Sequence, residues 1–339
     1  MSHNPVIPKL QEPMPVPQYI AGLIPVIVIL GASPVERLIF KLIWVLRCLG
    51  CPFTGLFHNL VIGYDPVEMC MYWLPENFFV TTKEKNIDFH PVGLHAKNLL
   101  ITLEQEKIMN QCTAKAPVMD RLSSLVSAYY IIVGIISATS SMTGLCTPED
   151  WPSLTLSFLW LTPIIFGRTL ITGILVVKDP KKELEDHLIR VLEENGGIKD
   201  IKYESAEWGE KLIPKQFDKR RKRSMFIITT LLSVVLPWVS VVMAFFTPPI
   251  GFFCRSKFLT GLCSLWTFNS LLECIYHINF GYGFLKGKMT KKIIHVYFVS
   301  SGIIITGFLI LLIVLNNESQ LWVKLFGDEC STSPCISGD

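Results

Sequence analysis

The chain has 339 residues, of which 50% are hydrophobic and 17% are charged, whereas soluble domains are roughly 25% charged. Charges are concentrated between Lys178 and Arg223, while Ser224 to Cys254 contains none. About 20 apolar residues already span a bilayer as a helix, so this distribution excludes an ordinary soluble enzyme, a secreted disulfide scaffold and a disordered chain. The net charge of +3 is too small to indicate nucleic-acid binding, and no nucleic-acid partner is expected.

The N-terminal region combines a proline-rich tail with two apolar segments. Residues 1–18 contain five prolines, which predicts an extended, poorly ordered tail. Within 19–62, the apolar run Tyr19 to Ala32 predicts a short re-entrant or spanning helix. Val35 to Leu49 mixes basic residues with Leu and Trp, the pattern of an amphipathic helix in the membrane interface. Residues 63–121 are richer in charge and are predicted to be a soluble cytoplasmic segment.

Five later segments meet the length and polarity expected of spanning helices. They run from about Leu122 to Leu145, Leu154 to Val177, Met225 to Phe246, Phe258 to Leu285 and Ile293 to Leu315. The first two form a predicted hairpin (122–177), and the last three form a membrane domain (224–315). The sequence therefore predicts an all-α, polytopic transmembrane bundle with five spanning helices, or six if Tyr19 to Ala32 also crosses.

The distribution of Lys and Arg orients this bundle, because cytoplasmic loops are enriched in both. The 178–223 loop holds 13 of them, and the loop after Leu285 holds four. The loops predicted on the other side hold none and two, and the tail at 316–339 holds one. We therefore expect a multi-pass protein of the secretory pathway or plasma membrane, with the C-terminus lumenal or extracellular and the 178–223 insert cytoplasmic.

The cytoplasmic insert is predicted to be a small α+β module. Asp179-Pro180 begins a helical pattern, and Ile198 to Tyr203 alternates as a half-buried strand would. A module of this size buries little core, so we expect it to dock on the membrane surface or on the 63–121 segment. Its basic end either stops translocation beside the next helix or attracts anionic lipid headgroups. The residues concerned are Lys219, Arg220, Arg221, Lys222 and Arg223.

The predicted topology also determines on which side of the membrane the loop and tail cysteines lie. It places Cys146, Cys254, Cys330 and Cys335 on the non-cytoplasmic side, where disulfides persist. They are disulfide candidates, and the pairing stays open among three alternatives. Asn317 begins an Asn-Glu-Ser glycosylation pattern on the same side.

Ionisable residues inside the predicted spans are the strongest candidates for a functional site, because such residues are costly in lipid. Asn269, Glu273 and His277 share one helix face by their spacing. Arg168 is predicted to lie at the same depth as Glu273, so the two are expected to pair. The set is interpreted either as part of a proton or ion pathway or as an ion pair that locks two helices together.

The segment Phe245 to Ser256, which includes Thr-Pro-Pro-Ile-Gly-Phe-Phe-Cys-Arg-Ser, resembles a segment of polytopic membrane proteins of filamentous fungi. The resemblance implies a shared membrane fold and no particular activity. The residues themselves suggest a tight return between two helices, because Pro ends a helix and Gly251 permits a sharp turn.

Three classes of function remain from the sequence. The favoured one is a transporter or channel for a small solute, an ion or protons. The alternative is a non-catalytic membrane scaffold or assembly subunit that docks protein partners through its insert, and a homo-oligomer stays open. The third class is a membrane enzyme. No Walker loop, dinucleotide fingerprint or HExxH pattern is present, so an enzyme is not favoured and neither a cofactor nor a metal is expected.

Overall fold

The fold is described from a computed structural model. The structure describes residues 24–26, 38–63, 65–73, 99–101, 103–115, 118–142, 154–170, 174–176, 213–215, 219–247, 250–252, 254–279 and 288–315. The predicted tail at 1–18, the C-terminal segment at 316–339, and the predicted helix and strand of the cytoplasmic insert lie outside these residues.

Apart from the 25-residue helix Val118–Met142, the first half of the described chain is a series of short elements. A 3₁₀ turn, Ile24–Val26, is followed by α1 (Leu38–Gly50), α2 (Pro52–Phe57), a π-helical stretch (His58–Ile62), α3 (Pro66–Trp73) and α4 (Leu103–Gln111). Next come α5 (Val118–Met142), a 3₁₀ helix (Thr155–Leu161) and α6 (Thr162–Leu170).

Three long helices form the second half: α7 (Lys219–Phe246), α8 (Cys254–Asn279) and α9 (Lys288–Leu315). Each contains a stretch long and apolar enough to cross a membrane: Arg223–Phe246, Ser256–Ile278 and Lys292–Ile310. These stretches confirm the predicted apolar helices at 225–246, 258–285 and 293–315, although α8 ends at Asn279. Gly251, with φ 146°, lies in the return between α7 and α8.

The N-terminal half differs more from the prediction. In the hairpin expected at 122–177, α5 covers most of the first predicted span, but the apolar stretches found among the described residues are the shorter Ser124–Ile136 and Thr155–Gly167. In place of one helix from Leu154 to Val177, the chain forms the 3₁₀ helix, α6 and then a strand. Pro163 gives a physical reason, since its missing N–H interrupts the helical hydrogen-bond ladder and favours the first turn of a new helix.

Four described strands of three residues form two antiparallel pairs. The strand β1 (Leu99–Ile101) pairs antiparallel with β4 (Ile213–Lys215), and β2 (Thr113–Lys115) pairs antiparallel with β3 (Ile174–Val176). The β1–β4 pair therefore brings the 63–121 segment into contact with the 178–223 insert.

The helix α1 packs closely along α9. A Cβ added to Gly302 of α9 would collide with the carbonyl oxygen of Leu46, and one added to Gly50 would collide with the carbonyl oxygen of Phe298. Small residues at such a crossing let two backbones approach each other directly. The C-terminal part of α1 is buried here, whereas Leu38 and Ile39 at its start are exposed.

Aromatic side chains fill the core between α8 and the 3₁₀ helix. Trp266 lies edge-on to Phe158 and Trp160, with ring centroids 5.7 and 6.2 Å apart. Trp160 and Trp266 are fully buried, and their packing fixes the position of α8 in the centre of the described structure.

Candidate functional site

The site is built on a sharp bend between α1 and α2, where the two segments turn by 116°. Pro52 begins α2 and has no backbone N–H to continue the α1 ladder. The last carbonyl groups of a helix lack partners within it. Those of Leu49 and Gly50 accept hydrogen bonds from Trp266 Nε1 and Asn269 Nδ2, the latter at 2.7 Å. The side chains of α8 thus satisfy the bend, which is named the α1–α2 corner (47–54).

Asn269 connects this corner to α9. Its Nδ2 also donates to Ser301 Oγ at 2.8 Å, and its Oδ1 accepts from the Tyr297 hydroxyl at 2.9 Å. The Cys51 thiol donates to the Asn269 carbonyl oxygen at 3.5 Å. Because the buried amide has partners on all sides, it holds three segments in one arrangement.

One helical turn further along α8, Glu273 lies between two basic groups. Its Oε1 accepts a hydrogen bond from Arg47 Nη2 at 3.1 Å. The same oxygen lies 3.4 Å from His277 Nε2, at i,i+4 spacing on α8. Arg47, Glu273 and His277 are named the Glu273 cluster. Arg47 and Glu273 are 226 positions apart in the sequence. One carboxylate is therefore shared between a guanidinium and an imidazole.

The cluster is buried to different extents. The side chain of Glu273 is 1% exposed and that of His277 is 6% exposed, whereas Arg47 is 14% exposed. Buried charges are stable only when paired and hydrogen-bonded. The pairing with Arg47 therefore accounts for a carboxylate inside an apolar helix.

Aromatic rings enclose the histidine. Phe57 and Phe53 of α2 lie with ring centroids 4.6 and 5.8 Å from that of His277. Phe226 of α7 is at 6.4 Å, and Tyr276 of α8 is at 5.7 Å. The rings hold the imidazole in place and keep its surroundings apolar.

Two atoms of the cluster have unused hydrogen-bonding capacity. Glu273 Oε2 and His277 Nδ1 are buried, and among the described residues neither has a hydrogen-bond partner. Buried polar atoms of this kind are rare in folded proteins and each calls for a physical reason. Here both belong to groups that can accept a proton.

The structure thus brings together three of the four predicted intramembrane residues, Asn269, Glu273 and His277, on one buried face of α8. Arg168 belongs to α6, and its side chain lies outside the described residues. The guanidinium found on Glu273 is that of Arg47, which the sequence assigned to an interfacial helix. Arg47 lies among apolar residues, one turn before a Gly-Cys-Pro sequence that ends the helix. This position was the sequence signal that could have indicated a buried arginine.

The remaining sequence candidates belong to other parts of the chain. Cys146, Cys330, Cys335 and Asn317 lie outside the described residues, and Cys254 begins α8 with its side chain undescribed. Their disulfides and glycosylation stay predictions. The described cysteine side chains that form no disulfide are Cys48, Cys51, Cys70, Cys112, Cys263 and Cys274.

The basic segment 219–223 forms the first turn and a half of α7, with Arg223 exposed. Cys70 and Cys112 lie outside the long apolar stretches, and their thiols are buried together. The hydrogen bond with Cys112 and burial raise the pKa of Cys70. In the described ranges, His, Cys, Asp and Glu form no group of three or more that could hold a metal ion.

Three long apolar helices and a carboxylate neutralised inside one of them are features of a helical membrane protein. No protein-family model matches this chain, and neither a curated protein nor a solved structure matches it.

Proposed function

We propose that the protein is a multi-pass membrane protein that moves a small solute, an ion or protons across the bilayer, with the Glu273 cluster in its pathway. The observation that carries the proposal is a buried carboxylate shared between Arg47 and His277 beside a broken helix. Ionisable residues inside membrane helices are typically functional and have an identifiable partner. Broken helices commonly form the binding sites of transporters.

The surroundings of the cluster support this role. At the α1–α2 corner, the backbone carbonyls of Leu49 and Gly50 have no partner within α1. They accept hydrogen bonds from Trp266 and Asn269 of α8. Non-helical backbone inside a membrane is tolerated where protein groups satisfy it in this way. The unused Glu273 Oε2 and His277 Nδ1 provide acceptors for a proton or for a solute hydrogen-bond donor.

The proposed topology follows the distribution of Lys and Arg. The cytoplasmic insert and the loop after α8 face the cytoplasm, and the C-terminus faces the lumen or the outside. The membrane belongs to the secretory pathway or is the plasma membrane. In this arrangement the start of α7, with its five basic residues, lies beside the cytoplasmic headgroups.

Proton flux into reconstituted vesicles tests the proposal. Vesicles carry an internal pH-sensitive dye, and a potassium diffusion potential drives protons inward. We expect the wild type to acidify the vesicles faster than protein-free vesicles, and Glu273→Gln to abolish the difference. Glu106→Gln is the matched control, because it removes the same charge from α4, outside the apolar stretches. Equal flux in wild type, Glu273→Gln and empty vesicles would overturn proton conduction.

A scaffold is the second candidate, and the burial of the network favours it. Asn269 joins α1, α8 and α9 through bonds that need no ligand, and Glu273 is fully buried. In that case Glu273→Gln reduces stability or assembly, and leaves the flux of every tested solute unchanged. Affinity purification of the full chain, with and without residues 178–223, then identifies partners that depend on the insert.

A further inference from the structure

We infer that the Glu273 cluster binds one proton on His277, and that the resulting imidazolium replaces Arg47 as the positive partner of Glu273. The inference deepens the proposed function and rests on it, because it names the proton as the species exchanged at this site. It also assigns Arg47 the part of a counter-charge that leaves when the proton arrives.

The first argument is the balance of charge. Arg47 Nη2 and His277 Nε2 both approach the same oxygen, Glu273 Oε1, at 3.1 and 3.4 Å. A single carboxylate neutralises one positive charge, and a second one inside an apolar medium is costly. Arginine is always charged, so His277 stays neutral while Arg47 is in place. A proton on His277 makes the departure of Arg47 favourable.

The second argument is mobility. Arg47 is the most exposed of the three side chains, at 14%, and it lies at the end of α1 just before the corner. Its long stem allows the guanidinium to reach a polar boundary while the stem stays in apolar surroundings. His277, in contrast, is held among Phe53, Phe57 and Phe226. The group that moves is therefore Arg47.

The third argument is the nature of the ligand. Nδ1 of His277 is buried, and no residue in the described ranges is its hydrogen-bond partner. An imidazole carries its second proton on such a nitrogen. The aromatic rings around it suit a proton, which occupies no volume, better than a hydrated ion. The proton comes from water or hydronium and adds to the Nδ1 lone pair, so no bond between heavy atoms changes.

The groups around His277 come from several elements. Glu273 and Tyr276 are on α8, Arg47 reaches it through Glu273 from α1, and Cys51 lies beside Glu273 at the corner. The side chains of α2 and α7 that lie beside the His277 ring are phenylalanines: Phe53, Phe57 and Phe226. Within the described structure, Glu273 is thus the carboxylate that stabilises a protonated His277.

Nitrogen NMR of the histidine side chains tests the inference directly. The full chain is labelled with ¹⁵N-histidine and studied in lipid nanodiscs, and His277→Asn identifies one signal among seven histidines. At about pH 7 we expect a neutral His277 in the wild type and a mostly protonated one in Arg47→Gln, since the carboxylate then lacks its guanidinium. Lys41→Gln is the matched control: it removes a positive charge from α1 away from the cluster and leaves His277 neutral.

A second series keeps the test decisive if Arg47→Gln fails to fold. The wild type and Glu273→Gln are titrated from about pH 7 to about pH 5, and the wild type is expected to protonate His277 at the higher pH. A neutral His277 in folded Arg47→Gln, or identical titrations in the second series, would overturn the inference. If His277 takes up a proton but the vesicles show no proton flux, the inferred exchange stands and the proposed transport is wrong. If the vesicles show proton flux but His277 takes up no proton, the proposed transport stands and the inferred exchange is wrong.

Discussion

Arg47 and Glu273, 226 positions apart in the sequence, meet at 3.1 Å in the interior of the structure. The contact joins the end of α1 to the C-terminal third of α8. It places a positive charge at the one carboxylate that the apolar stretch of α8 contains. The stability of the helix packing and the proposed proton chemistry both depend on this pair.

Removing the arginine alone should be costly. Arg47→Met leaves the buried Glu273 carboxylate without its guanidinium, and one-sided loss of a buried pair costs about 3 to 5 kcal/mol. Thermal unfolding of wild type and Arg47→Met in detergent measures the loss.

The double variant is the control for this pair. Arg47→Met with Glu273→Gln removes both charges, and we expect it to recover most of the stability that Arg47→Met loses. Independent, additive losses in the two single variants would contradict a direct interaction between the side chains.

Asn269→Ala should destabilise the α1–α2 corner. The substitution removes the donor to the Gly50 carbonyl and leaves that oxygen buried without this partner, at a cost of about 1 to 3 kcal/mol. Asn59→Ala is a matched control, because Asn59 Nδ2 also donates to a glycine carbonyl, that of Gly55, at 2.9 Å. That bond lies within one segment and is only part-buried, so its loss should cost less. Equal melting temperatures for the two variants would argue against a role for Asn269 in holding the corner.

Gly302→Ala tests the close approach of α1 and α9. Its Cβ would collide with the Leu46 backbone, so the helices must separate, and overpacking of this kind typically costs about 1 to 3 kcal/mol. Gly307→Ala on the same helix meets nothing within 4 Å. It should be neutral or stabilising by about 0.5 to 1 kcal/mol, since Ala favours a helix over Gly. Thermal unfolding of the pair distinguishes packing from helix propensity; a stable Gly302→Ala would refute the close crossing.

Alkaline pH should weaken the contact between α3 and α4. The hydrogen bond with Cys112 and burial raise the pKa of Cys70. The folded state therefore holds the thiol proton more tightly than the unfolded state. This stabilisation is fully present below the unfolded value of about 8.5 and declines as the pH rises above it.

The measurement compares Cys70→Val with wild type. The valine has no proton to lose, so between about pH 8 and about pH 10 the wild type should lose more thermal stability than the variant. Parallel losses in both proteins would show that other groups determine the alkaline behaviour.

The sequence predicts the parts of this structure that depend on local pattern. The charge-free run after Ser224 is sufficient to predict α7, and the spacing of Asn269, Glu273 and His277 is sufficient to place them on one face of α8. The 3₁₀ helix before Pro163 was missed because hydropathy weighs side-chain polarity and ignores the missing N–H of proline.

The partner of Glu273 illustrates the other limit of prediction from sequence. Depth along a predicted span favoured Arg168, since depth is all that a single sequence provides for helices of unknown neighbours. The position of Arg47 depends on the bend at Pro52 and on the glycine contact between α1 and α9. Both are tertiary features, and a basic residue beside Leu and Trp is equally typical of an interfacial helix.

The hydrogen bonds at the α1–α2 corner also determine when it is completed during synthesis. The carbonyls of Leu49 and Gly50 wait for Trp266 and Asn269, which follow 217 and 219 residues later. At translation rates of about 5 to 20 residues per second, that interval is about 10 to 40 s. The α1–α2 corner is therefore completed late in synthesis, and other groups must satisfy its carbonyls in the nascent chain until α8 has been made.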